Sequence, residues 1–540
     1  MGLAHHLIIV PVLLPLVTAA FLLLFDERRR VFKATVSLVS TLLLLTTAII
    51  LLNRANSSAD ATGVYLLGNW PAPFGIVLVL DRLSALMLVL AAVLALAALV
   101  FSLARWHRAG PHFHSLFQLL LMGVDGAFLT GDLFNLFVFF EILLAASYGL
   151  VLHGANPFRV RAGMHYIVMN LAGSSLFLIG VALVYGVAGT LNMADLAVRI
   201  PSVPAGERAL LEAGGALLGI AFLIKSGMWP LSFWLPSAYT AAAAPVAAIF
   251  AILSKVGIYV VLRLSLLMFG TSAGAMAGFG DQWLLFGGMA TIVFGAIGIL
   301  ASQAMGRLAG YYVLVSSGTL LGAIGMADVA VTSGALYYLV SSTLTIGAFF
   351  LLIELVERAQ DPAAAVLSVT MEAYGDEEEE EPEEEIGIAF PGALAALGVC
   401  FGICGLLIAG LPPLSGFIGK FALVAALFDL APAAGGGIPA TAWVLAALLL
   451  ISGFAALLAM IREGLRTFWA PLEVIVPRIR VIEIAPVAAL LLLTAALSVE
   501  GGPVMRYMNA TARALHAPEA YVTSVLSAPA IADADLKGQP

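Results

Sequence analysis

Charge is scarce in this chain. Only 11% of its 540 residues are Asp, Glu, Lys or Arg, while 62% are hydrophobic; a soluble domain carries about 25% charged residues. That deficit excludes a soluble globular chain and points to an all-α polytopic membrane protein, for which domain counting by length does not apply. Cysteine is scarcer still. Cys400 and Cys404 lie one helical turn apart in an apolar run, a geometry that disfavours a disulfide, and two thiols do not complete a metal site. A basic stripe is missing, which argues against a nucleic-acid partner. No nucleotide, haem, iron–sulfur or quinone motif is present, so neither a cofactor nor a metal is expected. A short cleavable leader is also lacking: the apolar stretch 7–25 runs into DERRR and reads as a first span. The net charge of −8 says little about partners, since eight glutamates fall between Glu377 and Glu385.

What the chain has is apolar length. Segments long enough to cross about 30 Å of hydrocarbon are predicted at 3–25, 33–52, 82–104, 115–130, 132–152, 164–188, 209–240, 245–269, 282–300, 308–327, 334–356, 391–427, 442–461 and 483–500. That is fourteen spans, of which 209–240 and 391–427 are interrupted by prolines. Fourteen of the 25 Lys and Arg fall after odd-numbered spans, among them Arg28, Arg29, Arg30 and Lys33, against six on the other side. Positive charge marks the cytoplasmic face, so both termini are expected outside the cytoplasm. The run GDEEEEEPEEE from Gly375 to Glu385 then falls in a cytoplasmic loop, where its self-repulsion keeps it solvated. His107, His112 and His114 lie near another such loop and read as interfacial. The tail after Gly501 reads as a poorly ordered end.

The organising stretch is FLIKSGMWPLSFWLPSAYTAAAAPVAAIFAILSKVGIYVVLR, residues 222–263. A lysine at the centre of a spanning helix costs roughly 2.5–3.5 kcal/mol, so Lys225 and Lys255 are expected to face a protein interior or a watery path. Lys255 is ten residues past Pro245, about 15 Å into its helix, too deep to snorkel. Pro230 and Pro236 interrupt the helix after Lys225 and free backbone polar groups at membrane depth. Glu141, nine residues past Asp132, reads as mid-span and as the natural partner of Lys225. Pro412 and Pro413 break a second span just before Lys420. The pairing of a broken span with a lysine thus occurs twice, which suggests that spans 4–8 and 9–13 are two repeats. An odd number of spans per repeat makes them inverted, as in transporters. Glu141, Lys225, Lys255 and Lys420 would then form a row at the midplane, with hydroxyls such as Ser226, Ser254, Ser341, Ser342, Thr343 and Ser415 admitting water between them.

TGDLFNLFVFFE, IKSGMWPLSFWLPSAY, LSKVGIYVVLR and GLPPLSGFIGKF together resemble the antiporter-like subunits of Mrp-type multisubunit cation/proton antiporters and respiratory complex I, and in particular the Mrp (Pha, Mnh) D subunits. The resemblance covers about 80–466. It implies a bundle of about 14 helices with two inverted five-helix repeats and two broken helices. Its parts would be N-terminal helices 1–110, a first repeat 111–270, a second repeat 271–470 with the acidic loop 358–390, and a last helix and tail 471–540. By position, Glu141 matches the glutamate of the fifth helix, Lys225 the lysine of the seventh, Lys255 the central proton carrier of the eighth and Lys420 the terminal group of the twelfth. Complex I subunits of the middle type carry glutamate at that last position, so lysine favours the Mrp reading. One departure stands out. Many relatives place histidines in the eleventh helix, where this chain has YYLVSSTLTIGAFF, so the link from Lys255 to Lys420 would run through Ser341, Ser342 and water.

The resemblance implies no enzyme chemistry in this chain. It implies a proton-translocating subunit of an Na⁺ or K⁺/H⁺ antiporter in the bacterial inner membrane, partnered by subunits of the Mrp A, B, C, E, F and G type. The runner-up is a proton-pumping subunit of complex I or a membrane hydrogenase; a purely structural role leaves four midplane ions unexplained. The orientation is testable. Single cysteines near Arg29 and Arg480 are expected to react with an impermeant thiol reagent only from the cytoplasmic side, and one at Gly502 only from outside. Labelling of Gly502→Cys from the cytoplasm would remove one span from the count.

Overall fold

The computed structural model describes residues 6–57, 62–154, 156–360, 391–430, 437–468 and 479–530. The acidic run 375–385 and most of the loop 358–390 lie outside the described residues. The first helices are α1 (Val10–Leu23), α2 (Arg30–Ser57) and α3 (Arg82–Ser102). They are followed by α4 (Phe113–Leu129), α5 (Leu133–Val151), α6 (Pro157–Ala188), a short α7 (Met193–Arg199), and α8 (Arg208–Ser226) with its sequel α9 (Trp234–Ala241). The second half runs α10 (Ala244–Phe269), α11 (Asp281–Ala301), α12 (Met305–Ile324), α13 (Val329–Gln360), α14 (Pro391–Ala409), α15 (Ser415–Phe428), α16 (Ala440–Phe468) and α17 (Val481–Val499). Eleven helices among the described residues are long and apolar enough to cross a membrane, and α1, α4 and α15 are shorter apolar helices.

Burial sorts these helices. The most apolar 18 residues of α10 are all buried, and 89% of those of α13, against 39% for α2 and α6 and 33% for α14 and α17. A helix that is apolar all round and buried all round is a core element. α10 and α13 pack on each other as that core; α8 and α12 also lie against α10, and α14, α15, α17 and α12 against α13. The peripheral helices keep apolar side chains such as Leu171, Ile297 and Leu450 exposed, as a lipid-facing surface requires.

Two regions differ from the sequence reading. Residues 62–80, predicted only as a connection, form an antiparallel hairpin of β1 (Gly63–Leu66) and β2 (Val77–Leu80). It covers the turn between α4 and α5, where the Gly131 amide donates to the Val77 carbonyl. The tail after Gly501 is described to residue 530 and over that length is not a loose end; residues 531–540 lie outside the described residues. It forms α18 (Gly501–His516) and α19 (Glu519–Leu526), with Met508, Thr511, Ala512 and Leu515 buried. Their 3–4 residue spacing is an amphipathic stripe laid against α13, and the Tyr507 hydroxyl donates to the Arg82 carbonyl at 2.7 Å.

Ion pairs join the helix ends. Arg105 and Trp106 both donate to Glu354 at 2.7 Å, and Arg358 donates to Glu483 at 2.7 Å. At the other end Asp81 pairs with Arg263 at 2.8 Å. Small residues set a close helix approach between α11 and α12: a Cβ on Gly288 would stand 2.4 Å from the Gly322 amide nitrogen and 2.8 Å from the Gly318 carbonyl. Tight membrane interfaces depend on such clearance. Gly288→Val is therefore expected to destabilise the fold by about 1–3 kcal/mol, the usual overpacking cost. In detergent its melting temperature should fall well below that of Gly219→Ala, whose added Cβ meets nothing within 4 Å. Equal melting curves would show that α11 and α12 separate without cost.

Candidate functional site

Both interrupted spans are present, and each first half ends on a left-handed glycine. Gly227 closes α8 with φ 73° and Gly410 closes α14 with φ 79°, a conformation that costs other residues more. The Gly410 and Leu411 amides both return to the Leu406 carbonyl at 3.0 Å. Beyond Leu406, the last carbonyls of α14 stay free to accept from elsewhere. Pro230, Pro412 and Pro413 sit in the two breaks and are not buried; none of them lines the cavity beside Lys420 described below.

Those free carbonyls receive Lys420. Its Nζ donates to Ile408 O and Ala409 O, both at 3.0 Å, so the ammonium caps the negative end of the α14 dipole. Lys255, midway along the buried α10, is fully enclosed. Its Nζ donates to Ser316 Oγ at 2.8 Å, and Ser316 Oγ lies 3.0 Å from Ser342 Oγ on α13. Beside them is a cavity of about 30 Å³ bounded by Ser316, Tyr338, Ser341, Ser342, Ser452 and Lys420. One water needs roughly 10–15 Å³, so the space suits about two. Ser341 faces the same cavity and bonds to Ser415 at 2.8 Å. Two serines and a water-sized space thus stand between Lys255 and Lys420, in the stretch where the sequence has hydroxyls in place of histidine.

Glu141 and Lys225 share a neighbourhood without a direct ion pair. The Lys225 Nζ donates to Asn170 Oδ1 at 3.1 Å and to the Tyr166 hydroxyl at 3.3 Å, and lies 5.3 Å from the Tyr166 ring centroid and 5.7 Å from that of Phe140. Ser174 donates to Glu141. The carboxylate therefore acts on Lys225 through space, with α6 supplying the contacts to both groups. Among the described residues no hydrogen bond joins the Lys225 cluster to Lys255.

Sequence reasoning passes over Tyr166, Asn170, Ser174 and Ser316. A signal is available: Asn170 and Ser174 are four apart, and Ser316–Ser317 interrupt an otherwise apolar run. His114, interfacial by its place in the sequence, is in fact buried. The chemistry this arrangement allows is proton exchange. A lysine without a carboxylate in contact has no ion pair to lock its charge, and a hydroxyl both donates and accepts.

Comparison with known proteins agrees. Residues 130–445 match the family model described as NADH:quinone oxidoreductase/Mrp antiporter, transmembrane. A Rhizobium meliloti (strain 1021) chain, described as the probable D subunit of a K⁺/H⁺ antiporter, is 63% identical over 97% of this chain and 98% of its own length. The chain belongs to this family. The D subunit of a Bacillus subtilis (strain 168) Na⁺/H⁺ antiporter is 33% identical over 97% of this chain and 99% of its own. Among solved structures, a chain of the Mrp complex from Dietzia sp. DQ12-45-1b superposes with a TM-score of 0.80 at 26% identity, covering 97% of this chain and all of that one. The family resemblance read from the sequence over about 80–466 therefore extends to nearly the full length.

Glu141→Ala is expected to cut cation/proton exchange in vesicles at least tenfold while the complex still assembles. Lys225 keeps its bonds to Asn170 and Tyr166 in that variant, so any loss reports the missing charge. Exchange at the normal rate would make Glu141 a packing residue.

Proposed function

We propose that this chain is the D subunit of a multisubunit monovalent cation/proton antiporter and carries protons along Glu141, Lys225, Lys255 and Lys420. Full-length likeness to antiporter D subunits supports the transporter reading over an enzyme, and over the redox-pump alternative. It also supports partner subunits of the Mrp type, as in the Dietzia complex. The K⁺/H⁺ description of the 63% identical relative favours K⁺ as the exchanged cation. Grouping α8 with α9 and α14 with α15 gives fourteen crossings. We read them as N-terminal helices 1–110, two inverted five-helix repeats 111–270 and 271–470, and a last helix with its tail 471–540, both termini outside the cytoplasm.

The observation that carries the proton path is the sequence Lys255, Ser316, Ser342, cavity, Lys420. A relay needs an acceptor within hydrogen-bond reach or one water away. Lys255–Ser316 and Ser316–Ser342 are within reach, and the last gap would be bridged by water in the cavity that Ser342 and Lys420 both line. Lys255 makes its one hydrogen bond to a hydroxyl, with no carboxylate in contact. It can then exist as an amine that takes up a proton and an ammonium that gives it back.

Lys255→Arg tests this directly. Guanidinium keeps the positive charge but does not release its proton in the working range. The variant is expected to assemble and to lose K⁺-dependent dissipation of a pH gradient in everted vesicles by at least tenfold between about pH 7 and 9. Normal exchange at every pH would leave Lys255 a fixed charge and remove the carrier role.

A further inference from the structure

A second set of buried titratable groups lies outside the row of lysines, on α4. His114, Gln118 and Asp125 are spaced by four and seven residues, which puts them on one face of the helix. All three are buried, Asp125 and Gln118 completely. Among the described residues, neither oxygen of Asp125 and neither ring nitrogen of His114 has a hydrogen-bond partner. An unpartnered carboxylate ion in such a place costs several kcal/mol, so the Asp125 carboxyl carries its proton.

The groups around it do not neutralise it in another way. α4 packs against α1, α2, α3, α5 and α10. α1 contributes no charge, and on α2 Lys33 is held by Glu27 at 2.5 Å. At the start of α3, Asp81 pairs with Arg263 of α10, and the Arg82 Nε bonds to nothing. On α5, Asp132 caps its own helix and Glu141 accepts from Ser174; the Tyr148 hydroxyl is unbonded. On α10, Lys255 bonds to Ser316 and the Tyr259 hydroxyl to the Phe128 carbonyl. Among the described residues, no ion pair is made to Asp125.

Between the two unpartnered groups in sequence lies a buried polar cluster, a seam centred on Gln118 and bonded to neither of them among the described residues. Gln118 Nε2 donates to Ser37 Oγ at 3.0 Å and Thr41 Oγ1 at 3.1 Å, and its Oε1 accepts from Ser40 at 3.2 Å. Ser40 in turn accepts from Thr18 on α1 at 3.0 Å. The next buried hydroxyl on α2 beyond Thr41 is Thr47, seven residues past Ser40, as Asp125 is seven past Gln118. The two helices start at the same end, where His112 meets Glu27 at 2.9 Å, so Thr47 stands near the level of Asp125. At that end lie Glu27, Lys33 and His107, the last 5.8 Å from His114 between ring centroids. Burial pushes the Glu27 carboxyl up, but its bonds to Lys33 and His112 outweigh that and hold it below the usual range. It remains a charged acceptor at the mouth of the seam.

We propose that Asp125 is a proton-binding site separate from the lysine row, loaded from the Glu27–His114 end through the hydroxyl and amide seam between α1, α2 and α4. The step is a proton transfer without redox change. Asp125 releases its proton toward the seam and regains one from it. Water bridges the gap between Asp125 and the hydroxyls, and each hydroxyl or water passes on its own proton as it accepts the next. The Gln118 amide, whose Nε2 only donates, holds the hydroxyls in place. The inference rests on the chain being a proton-coupled subunit.

The test is infrared spectroscopy on the intact complex. The difference between wild type and Asp125→Asn is expected to contain the carbonyl stretch of one protonated carboxyl, which shifts when the complex is placed in deuterium oxide. Gln118→Leu, with Asp125 intact, is expected to slow that shift at least tenfold, and it supplies the reading if Asp125→Asn fails to assemble. Asp125→Asn is expected to slow exchange in vesicles at least fivefold, with Asp125→Glu restoring most of it. Lys255→Arg should abolish exchange yet leave the Asp125 band and its deuterium shift unchanged, which separates this site from the row. Absence of the band, a shift as fast in Gln118→Leu as in wild type, or normal exchange in Asp125→Asn would each overturn the proposal. Normal exchange in Lys255→Arg would instead count against the lysine row alone.

Discussion

The structure is arranged around the cost of an ammonium group in the membrane interior. Three lysines meet that cost in three ways, none of them with a carboxylate in contact. Lys225 is held by an amide oxygen, a phenol and two aromatic faces, Lys255 by one hydroxyl, and Lys420 by two backbone carbonyls. Hydrogen bonds to charged groups contribute about 1.5–3 kcal/mol each, enough to offset part of the desolvation. A contact ion pair in a buried place would be harder to undo, since breaking one costs about 3–5 kcal/mol. Weak, oxygen-based solvation leaves both protonation states accessible. The through-space placement of Glu141 fits the same constraint: it biases Lys225 without fixing it.

Backbone breaks are the other half of that solution. An intact helix offers no spare carbonyl to a lysine at mid-depth. The Gly410 turn at the end of α14 exposes two, and α15 delivers Lys420 to them. The left-handed glycines at 227 and 410 are therefore tied to the ions near them, one directly and one by position, since Lys225 lies two residues before Gly227. The prolines that follow keep the chain from continuing as helix and stay out of the polar space.

Much of this was legible in the sequence because membrane burial is read from long apolar runs, and an ion inside such a run is conspicuous. Glu141, Lys225, Lys255 and Lys420 all fall on the predicted helices, and both broken spans are broken. The motif resemblance carried the family. The missing parts share a physical reason. A serine, an asparagine or a threonine in a spanning helix commonly bonds back to its own helix, so Ser316, Asn170 and Ser174 gave no sign of which would turn toward a lysine. That depends on helix rotation and packing, which a single sequence does not state. Depth alone pairs Glu141 with Lys225, and the structure interposes α6 side chains. The β hairpin was hidden because four-residue strands in a loop are short against the spans around them. The C-terminal helices were hidden because a short amphipathic helix lying against the bundle is too polar to register as a span.

The substitution of hydroxyls for imidazole between Lys255 and Lys420 has a consequence for the proposed path. An imidazole titrates near neutrality and can hold a proton in transit. A serine hydroxyl and a water do not; they pass a proton only while both ends are ready. A proton leaving Lys255 must therefore find Lys420 neutral at that moment. Lys420 lines the cavity and Lys255 reaches it through Ser316, so on the proposed path like-charge repulsion would favour the state in which only one of the two is protonated. On that path, the arrangement that removes a resting place for the proton would also disfavour double protonation of the two lysines, and the direction of transfer would follow whichever end is being emptied.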